Sequence, residues 1–263
     1  MITTSWDDGH PADLRLAELL SRYGIPATFY IPIRNDKPVM TTSELRGLAA
    51  DFEVGAHTVN HTILNEVPDT VARLEIVESK CRLEDAISQP ITMFSFPAGK
   101  YSARHLAYIR AAGFRGARTV ELMSLARHRT KHGVAIMPTT LQAFSHSSTT
   151  YLKNAVKRRS WSNAWRALRC SGILASRSWP DIALELLHRA LEVGGVFHLW
   201  GHSWEIEELD QWQELEKVLK LLSASKDKAV PLTNSEACAM GYLELEHASG
   251  PNCDVGIRPT SSD

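Results

Sequence analysis

The sequence predicts an α/β fold with a mostly parallel sheet or a barrel, because strand-like and helix-like segments alternate along the chain. Runs of β-branched and aromatic residues are separated by segments whose apolar residues recur at helical spacing. Such alternation is typical of βαβ units and of a parallel sheet. The 263 residues are enough for one large domain with a sizeable core, and α/β barrels commonly fill this length.

Strands and helices are predicted in alternation, with glycine, proline and capping residues between them. The predicted strands are 2–6, 27–33, 52–56, 92–96, 113–119, 134–138 and 194–202. The predicted helices are 11–23, 42–50, 67–88, 102–112, 151–167, 180–192 and 209–222. The apolar face predicted for the third helix consists of Val71, Leu74, Val77, Cys81, Leu83 and Ile87. Residues 1–240 are expected to form one domain, and the polar segment 241–263 is expected to be a disordered tail.

Composition and charge narrow the classes of partner. The net charge of −1 and the isoelectric point of 6.8 provide no global attraction to nucleic acid or to acidic membranes. The four cysteines have no paired spacing, which favours a reducing compartment over a cysteine-based zinc site. No apolar run approaches the length of a membrane span, and no leader pattern precedes the first strand. A cytoplasmic protein is therefore expected.

Two adjacent carboxylates, Asp7 and Asp8, stand with Gly9 where the first predicted strand ends. An Asp-Asp-Gly turn that closes a strand explains them without any chemistry. Two like charges this close also repel, and a bound cation would relieve that repulsion. Catalytic groups of α/β enzymes lie at such strand ends, so the choice depends on whether other metal ligands follow.

His57 and His61 are four residues apart, and the spacing predicts that both lie on one face of a helical turn, where they can bind one ion. A pair of solvated histidines at the start of a helix is the alternative. With Asp8 as a third ligand, the set becomes two imidazoles and one carboxylate, which is typical of a catalytic divalent metal site.

Four segments together resemble the polysaccharide deacetylases, carbohydrate esterase family four. They are Thr4–Gly9, His57–His61, Phe94–Gly99 and Phe197–His202. The resemblance covers roughly the first 220 residues, and the order and spacing of the motifs are more specific than any one of them. It implies a distorted (β/α) barrel with about seven parallel strands, fewer than the eight of a regular barrel. It also implies that the domain 1–240 is catalytic and hydrolyses N-acyl groups on amino sugars.

The resemblance assigns roles to the residues at the strand ends. Asp8, His57 and His61 become ligands of zinc or a similar divalent ion, and Asp7 becomes the general base. This division agrees with the chemistry of metal-assisted amide hydrolysis, in which a second carboxylate removes the proton from the activated water.

His202 would be the general acid that protonates the leaving amine. It is predicted at the carboxyl end of its strand, on the same rim as Asp8 and His57, although a capped histidine at a strand end is the alternative. Glu205 is a candidate to orient His202 by hydrogen bonding. His198 shares the face of His202 by strand alternation, and we favour a hydrogen-bonded core histidine over a support for the acid.

The chain also departs from the family pattern. The family arginine that binds the base aspartate is replaced by Ser95, and Arg118 is the candidate substitute, the alternative being an ordinary charge at a strand end. The substrate-binding turn is predicted at Pro97, Ala98 and Gly99, where Ala98 replaces an aromatic residue and its backbone N–H can still serve an oxyanion hole.

The fourth family motif, an Asp-Trp pair, is not recognisable. Trp200 and Trp204 are candidates to stack on the sugar, although buried core tryptophan is the more common environment.

The sequence thus predicts a metal-dependent deacetylase of an N-acetylated amino sugar, either a small molecule or a carrier-linked glycan in the cytoplasm. Residues 122–180 contain no Asp or Glu but ten Lys and Arg, which would suit a phosphate-containing substrate. A basic face packed against the acidic final helix explains that stretch equally well. Two alternatives stay open: hydrolysis of a formamide, cyclic imide or ureide on the same fold, and a catalytically silent carbohydrate-binding module.

Overall fold

The computed structural model describes residues 1–157 and 178–240. The predicted tail 241–263 and the part of the predicted helix 151–167 that follows residue 157 lie outside the described residues. Of the described helices, none is both long enough and apolar enough to cross a bilayer.

One sheet contains all the strands of the described residues. They are β1 (Ile2–Asp7), β2 (Thr28–Ile31), β3 (Glu53–Ala56), β4 (Met93–Ser95), β5 (Gly116–Arg118), β6 (Arg129–Lys131), β7 (Val134–Met137), β8 (Leu141–Gln142) and β9 (Phe197–His202). The helices are α1 (Ala12–Tyr23), α2 (Thr42–Asp51), α3 (Asp69–Ile87), α4 (Ala103–Ala111), α5 (Ser148–Lys157), α6 (Trp179–Glu192), α7 (Ser203–Glu208) and α8 (Trp212–Ala224). Residues 234–240 are also helical.

Local signals set the ends of several helices as predicted. Thr41 and Glu44 form a reciprocal capping box at the start of α2. Ser102 accepts a hydrogen bond from the backbone of His105 at the start of α4. Gly24 ends α1 in the left-handed conformation, with a φ of 59°.

The order of the strands is β6-β7-β5-β4-β3-β2-β1-β9-β8, and every pair is parallel except the antiparallel pair β6–β7. β7 pairs with β5, whereas β8, which begins four residues after β7 ends, pairs with β9. The segment 134–142 therefore joins the two sides of the sheet. Counted as one interrupted strand, β7 and β8 leave seven parallel positions, and the predicted distorted (β/α) barrel is confirmed.

Besides the 3₁₀ turn Leu64–Glu66, four elements of the described residues were not predicted from the sequence. The strand β6 is fully exposed and polar, and β8 has only two residues, so neither shows an apolar pattern. The predicted helix 209–222 begins later, at Trp212, because Asp210 adopts a left-handed φ of 50° and separates α8 from the short helix α7. The helical residues 234–240 are the fourth.

The segment 230–240 covers the amino-terminal end of the barrel. The backbone N–H of Ile2 donates to Val230 O at 3.0 Å, and the N–H of Leu232 donates to Ile2 O at 2.9 Å. Asn234 is fully buried, accepts from Thr3 Oγ1 at 2.8 Å and donates to Tyr30 Oη at 2.9 Å. This segment closes one end of the barrel, and the carboxyl ends of the strands form the opposite end.

Candidate active site and metal centre

The carboxyl ends of β1, β3 and β9 bring the predicted metal and proton-transfer residues together. Asp7 and His202 are paired in register on neighbouring strands, and His57 follows the last residue of β3 directly. Parallel strands end at the same edge of a sheet, so residues distant in sequence meet there. Asp7, Asp8 and His57 are buried, and His202 is partly exposed.

Among the described residues, one carboxylate oxygen of Asp8 has no hydrogen-bond partner. Its backbone has a φ of 81°, a strained conformation for a residue other than glycine. Its Oδ2 accepts a hydrogen bond from Trp204 Nε1 at 2.9 Å. Its Oδ1 is buried without a donor and lies 3.3 Å from His61 Nε2 and 3.9 Å from His57 Nε2. A buried oxygen that faces two imidazole nitrogens is typical of a site for a cation.

His57 is held in the tautomer that metal binding requires. Its Nδ1 lies 2.9 Å from the carbonyl oxygen of Ser95, and because a carbonyl only accepts, Nδ1 carries the proton. The Nε2 lone pair is therefore free toward Asp8 and His61. Burial lowers the pKa of His57 to about 4, so the ring is neutral at neutral pH.

The segment from His57 to His61 is a loop, so the predicted helical turn is wrong. Thr58 and His61 have positive φ angles of 66° and 51°, which no helix contains. The two histidine rings still approach each other, with their centroids 4.9 Å apart. Tertiary contacts, and not helical spacing, bring them together.

Glu75 on α3 holds this loop, and it was not predicted from the sequence. Its carboxylate accepts from Val59 N at 2.8 Å, from Asn60 N at 2.9 Å and from Asn60 Nδ2 at 2.6 Å. The apolar face predicted for this helix is wrong in part, because Val71, Leu74 and Cys81 are exposed. The buried face instead consists of Ala72, Glu75, Ile76, Ser79, Leu83 and Ile87. An acidic residue on that face was the available signal.

Asp8, His57 and His61 fit a divalent metal. Their ligand atoms all lie within 4.8 Å of one another, and within the described ranges they form the one such group. The unpartnered Oδ1 of Asp8 and the free Nε2 of His57 are the donor types that zinc and related ions take.

Asp7 is paired with Arg118, the residue predicted to replace the family arginine. Arg118 Nη2 donates to both carboxylate oxygens of Asp7, and both side chains are buried. The guanidinium lies 4.6 Å from the ring centroid of Trp200. Burial raises the pKa of Asp7. The charge of Arg118, with smaller contributions from His57 and His202, outweighs burial, so the pKa of Asp7 lies below its usual value.

Ser95 and Arg118 are direct neighbours in register on β4 and β5. Neighbours in register on parallel strands present their side chains to the same face of the sheet. The small Ser95 side chain therefore leaves room on that face for the guanidinium that reaches Asp7 from the next strand.

His202 forms a hydrogen-bonded pair with Glu205, at 2.7 Å between Nδ1 and Oε2. Its Nε2 lies 3.8 Å from Asp8 Oδ2, on the side of the metal group. Burial lowers the pKa of His202, but the hydrogen bond to Glu205 and the charges of Asp7, Glu205 and Asp8 outweigh it and raise the pKa. Gln142, also not predicted from the sequence, donates to the same Glu205 oxygen at 3.0 Å.

His198 is a hydrogen-bonded core residue, as favoured from the sequence. Its Nδ1 donates to Pro138 O at 3.0 Å, which leaves Nε2 to accept from Ser5 Oγ at 2.9 Å. Burial lowers the pKa of His198 to about 3, so the ring stays neutral.

The turn Pro97–Gly99 follows β4 on the same rim. Ala98 is exposed and has a φ of 53°, and Gly99 has a φ of 62°. A side chain at Gly99 would lie 2.2 Å from Val120 Cγ2, which explains the glycine. Trp200 is buried against Arg118, and Trp204 is partly buried below the ammonium of Lys37. Their predicted contacts with a sugar stay predictions.

Comparisons with known proteins point to one family. Residues 1–117 match the family model described as polysaccharide deacetylase. The protein YxkH of Bacillus subtilis (strain 168) is 24% identical over 144 residues, which are 52% of this chain and 52% of YxkH. The match thus spans about half the length of this curated relative.

Solved structures share the fold over nearly the whole chain. A crystal structure from Mycobacterium smegmatis has a TM-score of 0.68 at 12% identity and covers 93% of this chain and 90% of its own. The chitin deacetylase of Colletotrichum lindemuthianum has a TM-score of 0.55 at 13% identity and covers 90% and 86%. BA3943 of Bacillus anthracis, named a pseudoenzyme of carbohydrate esterase family four, has a TM-score of 0.52 at 14% identity and covers 90% and 65%. At such identities the likeness shows the fold alone.

Proposed function

We propose, from the match of residues 1–117 to the polysaccharide deacetylase family, that this protein is a metal-dependent hydrolase that removes an N-acetyl group from an amino sugar. The observation that carries the proposal is the buried, unpartnered Oδ1 of Asp8, which faces His57 and His61 beside the pair formed by Asp7 and Arg118. A binding module that does no chemistry has no need of a base, an acid and three metal ligands at one strand edge.

Asp8, His57 and His61 would hold the metal, and zinc is the ion that two imidazoles and one carboxylate suit best. A divalent ion at this position would polarise the amide carbonyl and acidify the attacking water. The hydrogen bond from His57 Nδ1 to Ser95 O keeps Nε2 available as a metal ligand.

Asp7 would take the proton from the attacking water. Arg118 keeps its carboxylate ionised and fixes its orientation with two hydrogen bonds. The oxygen of that water bonds to the acetyl carbon as the proton passes to Asp7, so the carboxylate must face the substrate amide.

His202 would donate a proton from Nε2 to the amide nitrogen as the carbon–nitrogen bond breaks, which releases the free amine and acetate. Glu205 holds Nδ1 and stabilises the protonated ring, and the raised pKa of His202 suits an acid at neutral pH.

The substrate class within this proposal is an amino sugar that is either a small molecule or linked to a carrier. Phosphate-containing amino sugars belong to this class. The support is the acid-free, basic stretch 122–180, part of which lies outside the described residues. Tenfold slower turnover of the Arg158→Ala/Arg159→Ala variant on a phosphorylated substrate only would support the phosphate. Cytoplasmic location stays a prediction.

A product screen by mass tests the function. Purified protein is assayed for bound divalent metal and then incubated with nucleotide sugars, lipid-linked sugars and short chitooligosaccharides. We expect the unmodified protein to bind stoichiometric metal and to remove an acetyl group from a substrate. We expect Asp8→Asn to do neither. A protein that binds no divalent metal would remove the mechanism, and an Asp7→Asn variant with full activity would remove the assigned base.

Hydrolysis of another carbon–nitrogen bond is the second candidate, and the Ser95 departure from the family motif favours it. The same screen separates the two. Loss of a formyl group, or addition of water to a cyclic imide or ureide, would assign the other bond.

A further inference from the structure

We propose that Trp204 is a positioning residue for the metal ligand Asp8, and that Lys37 holds the Trp204 ring in place. This inference rests on the proposed function, because it concerns the metal that Asp8 would bind. It gives Trp204 a role other than the sugar contact predicted from the sequence.

Trp204 fixes the orientation of the Asp8 carboxylate. The terminal torsion of an aspartate is broad, so its rotamer preference alone does not direct either oxygen. The indole N–H donates to Oδ2 at 2.9 Å, and Oδ1 is left without a partner on the side of His57 and His61. An indole N–H is a donor only, so it cannot compete with Asp8 for a cation. Trp204 therefore selects Oδ1 as the oxygen that a metal meets.

Two further contacts hold the indole. The Lys37 ammonium lies 3.8 Å from the ring centroid of Trp204, a cation–π contact. Lys37 is itself held by Glu208 at 2.8 Å, on the same short helix as Trp204. The His202 ring centroid lies 5.3 Å from that of Trp204. The loop between β2 and α2, which carries Lys37, is thus linked through Trp204 to the metal ligand.

The test compares two tryptophans that each donate to a carboxylate. Trp204→Phe removes the N–H beside the metal site, and Trp212→Phe removes an N–H that donates to Glu207 outside it. Zinc affinity is measured by competition with a chelator of known affinity. We expect about tenfold weaker zinc binding for Trp204→Phe, because partners of metal ligands typically contribute that much. The zinc affinity of Trp212→Phe should stay within about twofold of that of the unmodified protein, because Trp212 is not a partner of a metal ligand.

A second pair of variants tests Lys37 and does not depend on the folding of Trp204→Phe. We expect a few-fold weaker zinc binding for Lys37→Met and full recovery in Lys37→Arg, which keeps the cation over the ring. The visible spectrum of the cobalt(II) form should change in Trp204→Phe, because Oδ2 of Asp8 is then free.

Unchanged zinc affinity in both Trp204→Phe and Lys37→Met, with the affinity lost in Asp8→Asn, would overturn this inference and leave the proposed function intact. An unmodified protein that does not bind zinc, manganese or cobalt would overturn the proposed function itself. The two failures are therefore distinct.

Discussion

Asp7 and Asp8 are adjacent and chemically identical, and their surroundings separate them. Asp7 has a guanidinium on both oxygens, whereas Asp8 has an indole N–H on one oxygen and, among the described residues, no hydrogen-bond donor on the other. A carboxylate in an ion pair with arginine stays ionised and can accept a proton. A carboxylate with an unbonded oxygen that faces two imidazoles can bind a cation. The environment of each side chain therefore supports the division of roles.

Removal of Arg118 should reduce kcat/KM by up to about a hundredfold, because Asp7 then loses the orientation on which its contribution as general base depends. Arg118 lowers the pKa of Asp7, so Arg118→Ser raises that pKa and should move the acidic limb of the pH–rate profile to higher pH. The double variant Ser95→Arg/Arg118→Ser, which returns the arginine to the neighbouring strand, should recover part of the activity. The exposed Arg115→Ser is the control. Full activity of Arg118→Ser would contradict the assignment.

Glu205 should set the alkaline limb of the same profile. Its hydrogen bond and charge raise the pKa of His202, and an acid works only while protonated. Glu205→Gln should therefore lower that pKa and shift the alkaline limb to lower pH. Glu207→Gln, which removes an exposed carboxylate of the same helix, should not shift it. Identical profiles for Glu205→Gln and the unmodified protein would show that Glu205 does not tune the acid.

His198 should make the fold sensitive to acid. Its pKa is about 3 when folded against an ordinary 6.5, so between these values the unfolded chain binds a proton that the folded chain does not. Its contribution is complete above pH 6.5 and is lost as the pH falls, by up to about 2 kcal/mol at pH 5. In His198→Asn the free energy of unfolding, measured by denaturant at several pH values, should fall less steeply. Parallel slopes would contradict this prediction.

The helix α3 and the loop it supports form one functional unit. The loop carries two strained φ angles, and three hydrogen bonds to Glu75 offset that strain. Glu75→Gln replaces one acceptor oxygen by an NH2 group, which donates and cannot accept, so at least one donor of the loop loses its partner.

We expect about tenfold weaker zinc binding for Glu75→Gln, because the position of His61 then relaxes. Glu78→Gln, less than one turn further along the same helix and paired with Arg82 at the surface, is the matched control. Zinc affinity of both variants is measured by chelator competition, and hydrogen exchange of residues 57–62 reports the loop. Equal affinities would assign Glu75 to stability alone.

The two ends of the barrel have separate tasks. The carboxyl ends of the strands carry the candidate site, and the segment 230–240 closes the amino-terminal end through hydrogen bonds to β1 and β2. Parallel (β/α) folds typically divide chemistry and stability in this way.

Asn234→Ala should lower the free energy of unfolding by about 2 kcal/mol, because buried partners of its side chain are left unsatisfied. Zinc affinity should be unchanged, since the Asn234 side chain bonds Thr3 Oγ1 and the hydroxyl of Tyr30, and neither residue is a candidate metal ligand. Denaturant unfolding and chelator competition on the same preparation measure both quantities. A parallel loss of zinc affinity would contradict the separation of the two ends.

Most of the elements and the choice of candidate residues could be predicted from the sequence. Helix caps, left-handed glycines and strand runs depend on interactions among near neighbours, so Thr41, Ser102 and Gly24 could be assigned locally. The order of four motifs sufficed for the resemblance to the polysaccharide deacetylases, which residues 1–117 also match, and for the choice of candidate residues at the strand ends. Short or polar elements such as β6 and β8 could not be predicted, because they have no periodic pattern of apolar residues.

The contacts that join these residues into a site were decided only by the tertiary structure. Arg118 bonds Asp7 across 111 positions of the sequence, and Trp204 bonds Asp8 across 196. Glu75 binds the loop 57–61, which the spacing of its histidines had predicted to be a helical turn. Such contacts depend on which strands are neighbours and on where their ends meet, and no local pattern encodes that arrangement. The resemblance had already assigned Asp7 and Asp8 different roles, and the folded barrel brought each its own partner, Arg118 for Asp7 and Trp204 for Asp8.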